Sequence, residues 1–234
     1  MKIEKGDFVE IDFVGRIKET GQIFDLTDEK VAEENHLTPH HHEGHPSHFE
    51  PLVFCVGEGE VVKGLDQAIQ GKEVGQRYVV EVPPEDGFGK KDAKLMKLVP
   101  TNLFRKQNIA PMPGLQVNID TMMGTIRTVT GGRTLVDFNH PLAGRLLVYE
   151  VTIRRKLTTE EEKVKAFLKL HMRIKPDEID IKDHQIVVKQ EVPATVQKEV
   201  MEKMKNVIPS IMSIEFGKKP AKPKEKKKAH DAKP

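Results

Sequence analysis

The sequence has no tryptophan, one cysteine and only 5% aromatic residues. A single cysteine, Cys55, excludes an intramolecular disulfide, and its apolar setting in PLVFCV predicts a free thiol that fills the core. With so few aromatics, phenylalanine and aliphatic side chains must line any apolar pocket. No apolar run approaches the roughly 18 residues of a membrane span. No signal sequence is expected before the first strand, so we expect a cytoplasmic protein without membrane partners.

The chain also has no strong excess of positive or negative charge, since its formal net charge is only +2. The charge is unevenly placed, with +6 on residues 217–234 and −4 on the rest. A basic body for nucleic acid is therefore absent, and nucleic acid is an unlikely partner. Residues 218–234 are expected to form a Lys-rich disordered tail, for which weak contact with nucleic acid or acidic proteins is the second possibility.

Residues 61–89 organise the first part of the chain. Leu65, Ala68 and Ile69 have helical spacing and predict a helix of barely two turns. Gly71 follows this helix and is expected to end it, because glycine adopts the left-handed conformation of a helix C-cap at the lowest cost. Alternation in residues 77–82 predicts a strand with one face in the core.

Further strands are predicted on both sides of this segment, at residues 7–18, 23–25, 52–56 and 146–153. Residues 94–138 differ in character and predict a small β-rich region. Its short helix is expected to begin at a Thr101 N-cap, and Gly131-Gly132 predicts a hairpin.

A third region begins near Thr158. Either Thr158 or Thr159 can cap a helix that runs through His171. A hairpin over residues 179–188, a helix opened by Pro193 and a strand at 211–216 complete a small α+β domain. Its core is thin, so a homodimer through this domain is one possible assembly.

Five phrases in the sequence occur in an order that resembles a known family: VEIDFVGRI, IFD, PLVFCVGEGEVVKGLDQAIQGKEVGQ, VPPEDGFG and VDFNHPLAG. The chain resembles FKBP-type peptidyl-prolyl cis-trans isomerases, in particular SlyD-like members with a domain inserted in the flap, and is similar to the long archaeal FKBPs. The resemblance implies an α+β fold, with an FKBP-like antiparallel half-barrel around a short helix. It implies an isomerase domain at 1–89 and 139–156, an inserted β-rich domain at 90–138, an extra C-terminal α+β domain at 157–217 and the tail.

The resemblance also implies an apolar pocket for a prolyl residue. Leu65 would be its floor, and the backbone N–H of Val62 would hold a substrate carbonyl. Phe13 and Phe88 stand where the family usually has tyrosine, and Leu65 where some members have tryptophan. The implied pocket residues are Phe13, Phe24, Asp25, Leu52, Val61, Val62, Leu65, Phe88, Leu142 and Tyr149.

Such a pocket would accelerate rotation about X-Pro bonds without a nucleophile, a metal or another cofactor. Burial of Asp25, the one charged group assigned to the pocket, is expected to raise its pKa, and Tyr149 is a candidate hydrogen-bond donor to it. His140 is expected to be structural. Two functions remain open: an isomerase that helps unfolded or proline-containing polypeptides fold, and a weakly catalytic or non-catalytic polypeptide-binding chaperone on the same scaffold.

Residues 94–138 carry more apolar and Met-rich surface than so small a region can readily bury. Flexible methionine side chains suit promiscuous binding of unfolded segments, although any one of these residues could equally be core. The resemblance favours a chaperone site. Its candidate residues are Leu98, Pro100, Phe104, Ile109, Pro111, Met112, Met122 and Met123.

Six histidines form the other conspicuous cluster. Imidazole nitrogens can bind Zn²⁺ or Ni²⁺, but the spacing HHHEGHPSH fits no closed structural zinc site. Adventitious metal binding by a solvated loop is therefore favoured over an evolved metal site. The histidines are His36, His40, His41, His42, His45 and His48.

Overall fold

The structure, a computed structural model, describes residues 1–37 and 49–217. The chain divides into two compact units at Lys156 and Leu157. The strands of the first unit are β1 (Phe8–Ile17), β2 (Ile23–Leu26), β3 (Leu52–Cys55), β4 (Arg77–Val82), β5 (Met96–Pro100), β6 (Gln116–Ile119), β7 (Met122–Thr130), β8 (Arg133–Asp137) and β9 (Leu147–Lys156). Its helices are α1 (Glu29–Glu34), α2 (Lys63–Ile69) and α3 (Thr101–Lys106).

A five-stranded antiparallel sheet forms the frame of the first unit. Its order is β2-β1-β9-β4, and β3 also pairs with β1. The residues of β9 alternate as predicted, with Leu147, Tyr149, Val151 and Ile153 buried. One face of the sheet is therefore apolar and the other carries half-buried and charged side chains.

Helix α2 lies against β4, as the spacing of its apolar residues predicts. Leu65 and Ile69 are buried, and Gly71 has a φ of +78° just beyond the helix. Gly64 makes the close approach possible, because a Cβ there would lie 2.7 Å from Val82. The buried Asp66 carboxylate accepts a hydrogen bond of 2.8 Å from the N–H of Gly57 and ties the helix to the preceding loop. Cys55 is fully buried, as predicted.

Residues 90–138, called the inserted region below, contain a second sheet of order β5-β8-β7-β6 with α3 beside it. The predicted hairpin is confirmed: Gly131 and Gly132 both have positive φ between β7 and β8. The predicted Thr101 cap is wrong, since Pro100 precedes the helix and no side chain caps it. Thr101 is buried and shares a 3.0 Å hydrogen bond with Thr134, so burial rather than capping determines its role.

The chain enters and leaves the inserted region at a charged junction. The Asp137 side chain is only 1% exposed and accepts hydrogen bonds from Lys91 at 2.9 Å and from Arg127 at 3.0 Å. Asn139 also donates to it, from both its backbone and its side chain. Asn139 in turn accepts a 2.8 Å bond from the N–H of Asp92, which joins the two crossing segments.

The second unit has its own sheet and core. It contains α4 (Glu160–Met172), β10 (Ile179–Lys182), β11 (Gln185–Val188), α5 (Ala194–Val207) and β12 (Ser213–Phe216), with the strands in the order β10-β11-β12. Thr159 caps α4, so this one of the two predicted caps is confirmed. Strand β12 pairs with β11 in parallel, a connection made through α5.

Two further findings concern helices. Helix α1 was not predicted, because six residues are too few to show a period; the Asp28 carboxylate, which accepts from the N–H groups of Lys30 and Val31, is its local signal. No helix within residues 1–37 and 49–217 is both long and apolar enough to span a bilayer.

Candidate functional site

A pocket with a volume of about 480 Å³ lies between the five-stranded sheet and the N-terminal end of α2. We call it the aromatic pocket. All ten residues assigned to a pocket from the sequence line it, together with Glu60 and His140. The full lining is Phe13, Phe24, Asp25, Leu52, Glu60, Val61, Val62, Leu65, Phe88, His140, Leu142 and Tyr149.

Four aromatic rings contribute to the wall of the aromatic pocket, and three of them pack edge to face. The Phe24 ring lies 5.6 Å from that of Tyr149 and 6.4 Å from that of Phe88, both nearly perpendicular. The ring of Phe13 lies 5.9 Å from that of Tyr149. These separations are typical of favourable aromatic contacts, so the rings hold one another in place. Leu65, 2% exposed, provides an apolar floor.

Phe24 can take this position only because residue 15 is glycine. Gly15 pairs with Asp25 on one neighbouring strand and Tyr149 on the other. A Cβ built on Gly15 would lie 2.7 Å from the Phe24 ring, far inside van der Waals contact. The sequence gives little sign of this, because the contact exists only once β1 and β2 are paired.

We expect Gly15→Ala to lower kcat/KM for an X-Pro peptide on the order of tenfold, since small displacements of pocket groups carry large penalties. The methyl group would push the Phe24 ring out of the wall and cost about 1–3 kcal/mol of stability by overpacking. Peptide turnover and urea unfolding measure the two effects.

Adding Phe24→Leu to Gly15→Ala should recover stability without recovering turnover, because it relieves the overlap but leaves the wall incomplete. Thr152→Ala, on the other face of the same sheet, is the matched control and should leave turnover unchanged. Full turnover in Gly15→Ala would contradict the role assigned to the Phe24 ring.

Asp25 is exposed at the mouth of the aromatic pocket, yet its pKa is raised. Partial loss of water around the carboxylate is the cause, and the hydrogen bond from the backbone N–H of Leu26 only partly opposes it. The direction agrees with the prediction. The expected donor is wrong: within the described residues the Tyr149 hydroxyl makes no hydrogen bond to Asp25. Burial, and then the charge of Asp25, raise the pKa of Tyr149 to about 12.

Val62, at the N-terminus of α2, lines the aromatic pocket and carries a backbone donor. Val62 immediately precedes the helix and its carbonyl accepts from the N–H groups of Leu65 and Asp66. In the described part of the chain its own N–H donates to no other group. A free N–H at a helix start is available to a ligand carbonyl.

Two lining residues were missed or undervalued at the sequence level. His140 stacks on Phe88 with ring centroids 4.5 Å apart, and its Nδ1 accepts from the N–H of Leu142. These two contacts hold the His140 ring in the wall of the aromatic pocket. The Glu60 carboxylate accepts a 2.6 Å bond from the N–H of Cys55, so Asp25 is not the only acid in the lining. Burial, with Glu60 next, raises the pKa of the Cys55 thiol to about 12.

The candidate chaperone residues divide between surface and core. Leu98, Pro100, Met112, Met122 and Met123 are exposed, and Leu103, which was not predicted, joins them. Phe104 is wrong as a surface residue: it is 3% exposed and packs with Val117, Ile126 and Val136. Ile109 is partly buried against the same cluster, and Pro111 is also partly buried. The small region buries these side chains because α3 folds back over its sheet.

The weak metal candidates His40, His41, His42, His45 and His48 lie outside the described residues. His36 is described and is exposed, with a positive φ. No group of three potential ligands forms a metal cluster within residues 1–37 and 49–217.

The antiparallel sheet, the short helix α2 and the aromatic pocket between them define a class of small apolar-ligand or peptide-binding domains. Comparison with known proteins narrows that class. The family model for FKBP-type peptidyl-prolyl cis-trans isomerase matches residues 1–105, and the model described as FKBP26, IF domain matches residues 97–142.

Individual relatives agree. The chain is 33% identical over 160 residues to a short-type peptidyl-prolyl cis-trans isomerase of Methanocaldococcus jannaschii, covering 68% of this chain and 98% of that protein. It is 35% identical over 118 residues to the isomerase SlyD of Haemophilus influenzae, which covers 48% of this chain and 62% of that protein. It is 27% identical over 172 residues to SlyD of Treponema pallidum, which covers 72% of this chain and 86% of that protein. The chain belongs to the FKBP-type peptidyl-prolyl cis-trans isomerases and is SlyD-like.

Proposed function

We propose that the aromatic pocket is where the isomerase acts, with the ten predicted residues and His140 around the bound X-Pro unit. The observation that carries this is convergence: residues from β1, β2, β3, β9, the start of α2 and two loops meet at one concavity. Its aromatic and aliphatic walls suit a proline ring, and the Val62 N–H offers a donor for the substrate carbonyl. The isomerase domain then comprises residues 1–89 and 139–156.

The chemistry needs no bond to be broken, so neither a nucleophile nor a metal takes part. Rotation about a peptide bond faces a barrier of about 18–20 kcal/mol from amide resonance. The planar amide separates charge more than the twisted one, so a site that excludes water disfavours the planar form relative to the twisted form. A wall shaped to the twisted imide adds binding that is realised only in the transition state.

We expect Asp25→Asn to lower kcat/KM for a Phe-Pro tetrapeptide roughly tenfold, through loss of a charge-assisted hydrogen bond to a substrate donor at the pocket mouth. The raised pKa means that the carboxylate protonates at a higher pH than an ordinary aspartate. Wild-type kcat/KM should therefore fall as the pH drops through that raised value, and the variant should show no such fall. A protease-free cis-trans assay measures both.

Asp28→Asn is the matched control, since Asp28 caps α1 outside the pocket. Turnover that is equal in wild type and Asp25→Asn at every pH would remove Asp25 from the site. Absence of any turnover by the wild type would overturn the assignment of the pocket.

We propose that the inserted region, residues 90–138, also binds unfolded polypeptide. Its exposed apolar side chains support this: Leu98, Met112 and Met123 are each about 60% exposed, and Leu103 is 47% exposed. These side chains include residues of β5, α3 and β7. The two edge strands of the sheet, β5 and β6, are each unpaired on one side in the described structure. Extended segments can add to such edges while flexible methionines accommodate varied side chains.

We further propose that residues 157–217 form a separate domain that assembles a homodimer. Val187 and Met212 are exposed apolar side chains on and beside its sheet. The expected result is a dimer for the full chain and a monomer for a chain ending at Lys156, measured by gel filtration with light scattering. The same oligomeric state in both would reject this assembly.

A further inference from the structure

A second recess, with a volume of about 430 Å³, adjoins the aromatic pocket. The two cavities share Phe24, His140 and Leu142 as a common wall. A peptide with its proline in the aromatic pocket can therefore reach this recess. Three extended residues reach about 10 Å, which is enough to place a neighbouring side chain there.

The second recess differs sharply from the aromatic pocket in chemistry. Its lining combines residues of β1, β2 and the loops before β2 and β9 with residues of β6 and β7 of the inserted region. No carboxylate is among its described lining residues. The polar residues that line it are Gln22, Gln116, Thr125, Arg127, Asn139, His140 and Arg145.

The two arginines of the second recess are not equivalent. Arg127 is held by Asp137, which accepts from its Nε at 3.0 Å and from a terminal nitrogen at 2.9 Å. Asp137 is also bound by Lys91, so this cluster is cationic overall. Arg145 has no ion-pair partner within the part of the chain that the structure describes. It is half-buried, which leaves one guanidinium charge beside the recess without a compensating carboxylate.

We propose that the second recess binds an acidic side chain of the substrate, one to three residues from the proline. A guanidinium offers a planar pair of donors to a carboxylate, and amides of Gln22, Gln116 and Asn139 can supply further donors. The recess thereby couples the inserted region to sequence selection by the isomerase. This inference rests on the proposed function of the aromatic pocket, because that pocket fixes where the peptide lies.

The test uses the full chain and hexapeptides with a Phe-Pro core. One glutamate is moved through each flanking position, and each peptide is compared with its glutamine counterpart. At one position at least, glutamate should raise kcat/KM about threefold to tenfold over glutamine at low salt. The preference should shrink at about 1 M salt, where exposed charges are screened. Calorimetric Kd values for the same peptides provide a readout independent of turnover.

Arg145→Gln should bring the glutamate-to-glutamine ratio close to one, because kcat/KM falls more for the glutamate peptides than for the glutamine peptides. Arg133→Gln removes the same charge at the exposed hairpin turn of the inserted region and should preserve the ratio. A wild-type ratio of one or less at every position, in both kcat/KM and Kd, overturns the proposal, as does a ratio that Arg145→Gln leaves unchanged.

Failure of the proposed function has a different signature. If no glutamine peptide is turned over, the pocket assignment fails, and the Kd ratio alone decides the acidic subsite. If glutamine peptides are turned over normally without a glutamate preference, only the subsite is rejected.

Discussion

Excision of the inserted region is expected to leave isomerisation of a Phe-Pro tetrapeptide within about twofold of the full chain, and to slow catalysed refolding of a proline-limited protein roughly 10- to 100-fold. A tetrapeptide fills only the aromatic pocket, which the excision leaves intact. An unfolded chain needs to be held near the pocket, and a second binding site on the same molecule raises its effective concentration there.

The structure shows where the cut belongs. Met96 and Asp137 are paired across β5 and β8, so an Asn-Gly turn can replace residues 97–136. The hydrogen bonds of Asn139 to Asp92 and of Asp137 to Lys91 are retained, which preserves the return of the chain into the five-stranded sheet. Refolding rates and tetrapeptide turnover are measured on the same preparation.

A full-length variant with Leu98, Met112 and Met123 changed to serine is the matched control. It keeps the inserted region but removes exposed apolar surface, and should reproduce the refolding defect without affecting the tetrapeptide. Equal losses in both assays after excision would show that the two activities are not divided in this way.

Replacement of Asp137 by alanine is expected to cost roughly 2–4 kcal/mol of stability, as for other broken buried ion pairs. The change would leave Lys91, Arg127 and the amide of Asn139 without their common acceptor. Both cations are about 40% exposed and can turn towards water, which keeps the cost below that of a fully buried pair. Urea unfolding, with hydrogen exchange of amides in β5, β7 and β8, would locate the loss at the junction.

The effect should also depend on pH. Burial alone would raise the pKa of Asp137, but the hydrogen bonds from Asn139, Lys91 and Arg127 together outweigh it and hold the pKa well below its usual range. The stability that Asp137 contributes is therefore fully present above its unfolded pKa of about 4 and is lost as the pH falls towards the folded value. The difference between wild type and variant should shrink over that interval.

Glu85→Ala removes a carboxylate from the exposed pair with Lys90 and serves as the control, because such surface pairs contribute little. Its stability should follow that of the wild type at every pH. Equal stability of wild type and Asp137→Ala at neutral pH would contradict the role of the junction.

Several elements could be predicted because their signals are local. Alternation along β4 and β9, the spacing of Leu65 and Ile69, and the paired glycines at 131 and 132 depend on residues close together in the chain. The resemblance to FKBP isomerases identified the pocket residues. Periodicity alone would have assigned most of them to the core. The structure brings all ten of them to one pocket.

Other features depended on contacts between distant segments. Thr101 looked like a helix cap, yet it is buried against Thr134. Phe104 looked like a binding residue, yet it extends from α3 into the core of the inserted region. Gly15 matters only because β2 brings the Phe24 ring across it. The proposed acidic subsite needs Arg145 and residues of β6 and β7 to line one recess, and no local pattern can specify that.

The sequence by itself determined which segments other than α1 form the main helices and strands, which of their faces are apolar and which family the chain resembles. Tertiary structure decided which side chains share a cavity and which carboxylate is buried among cations. It also decided which arginine has no carboxylate partner in the described residues. The physical reason is that propensity and periodicity act over a few residues, whereas packing, desolvation and ion pairing depend on strand register and on partners far away in the chain.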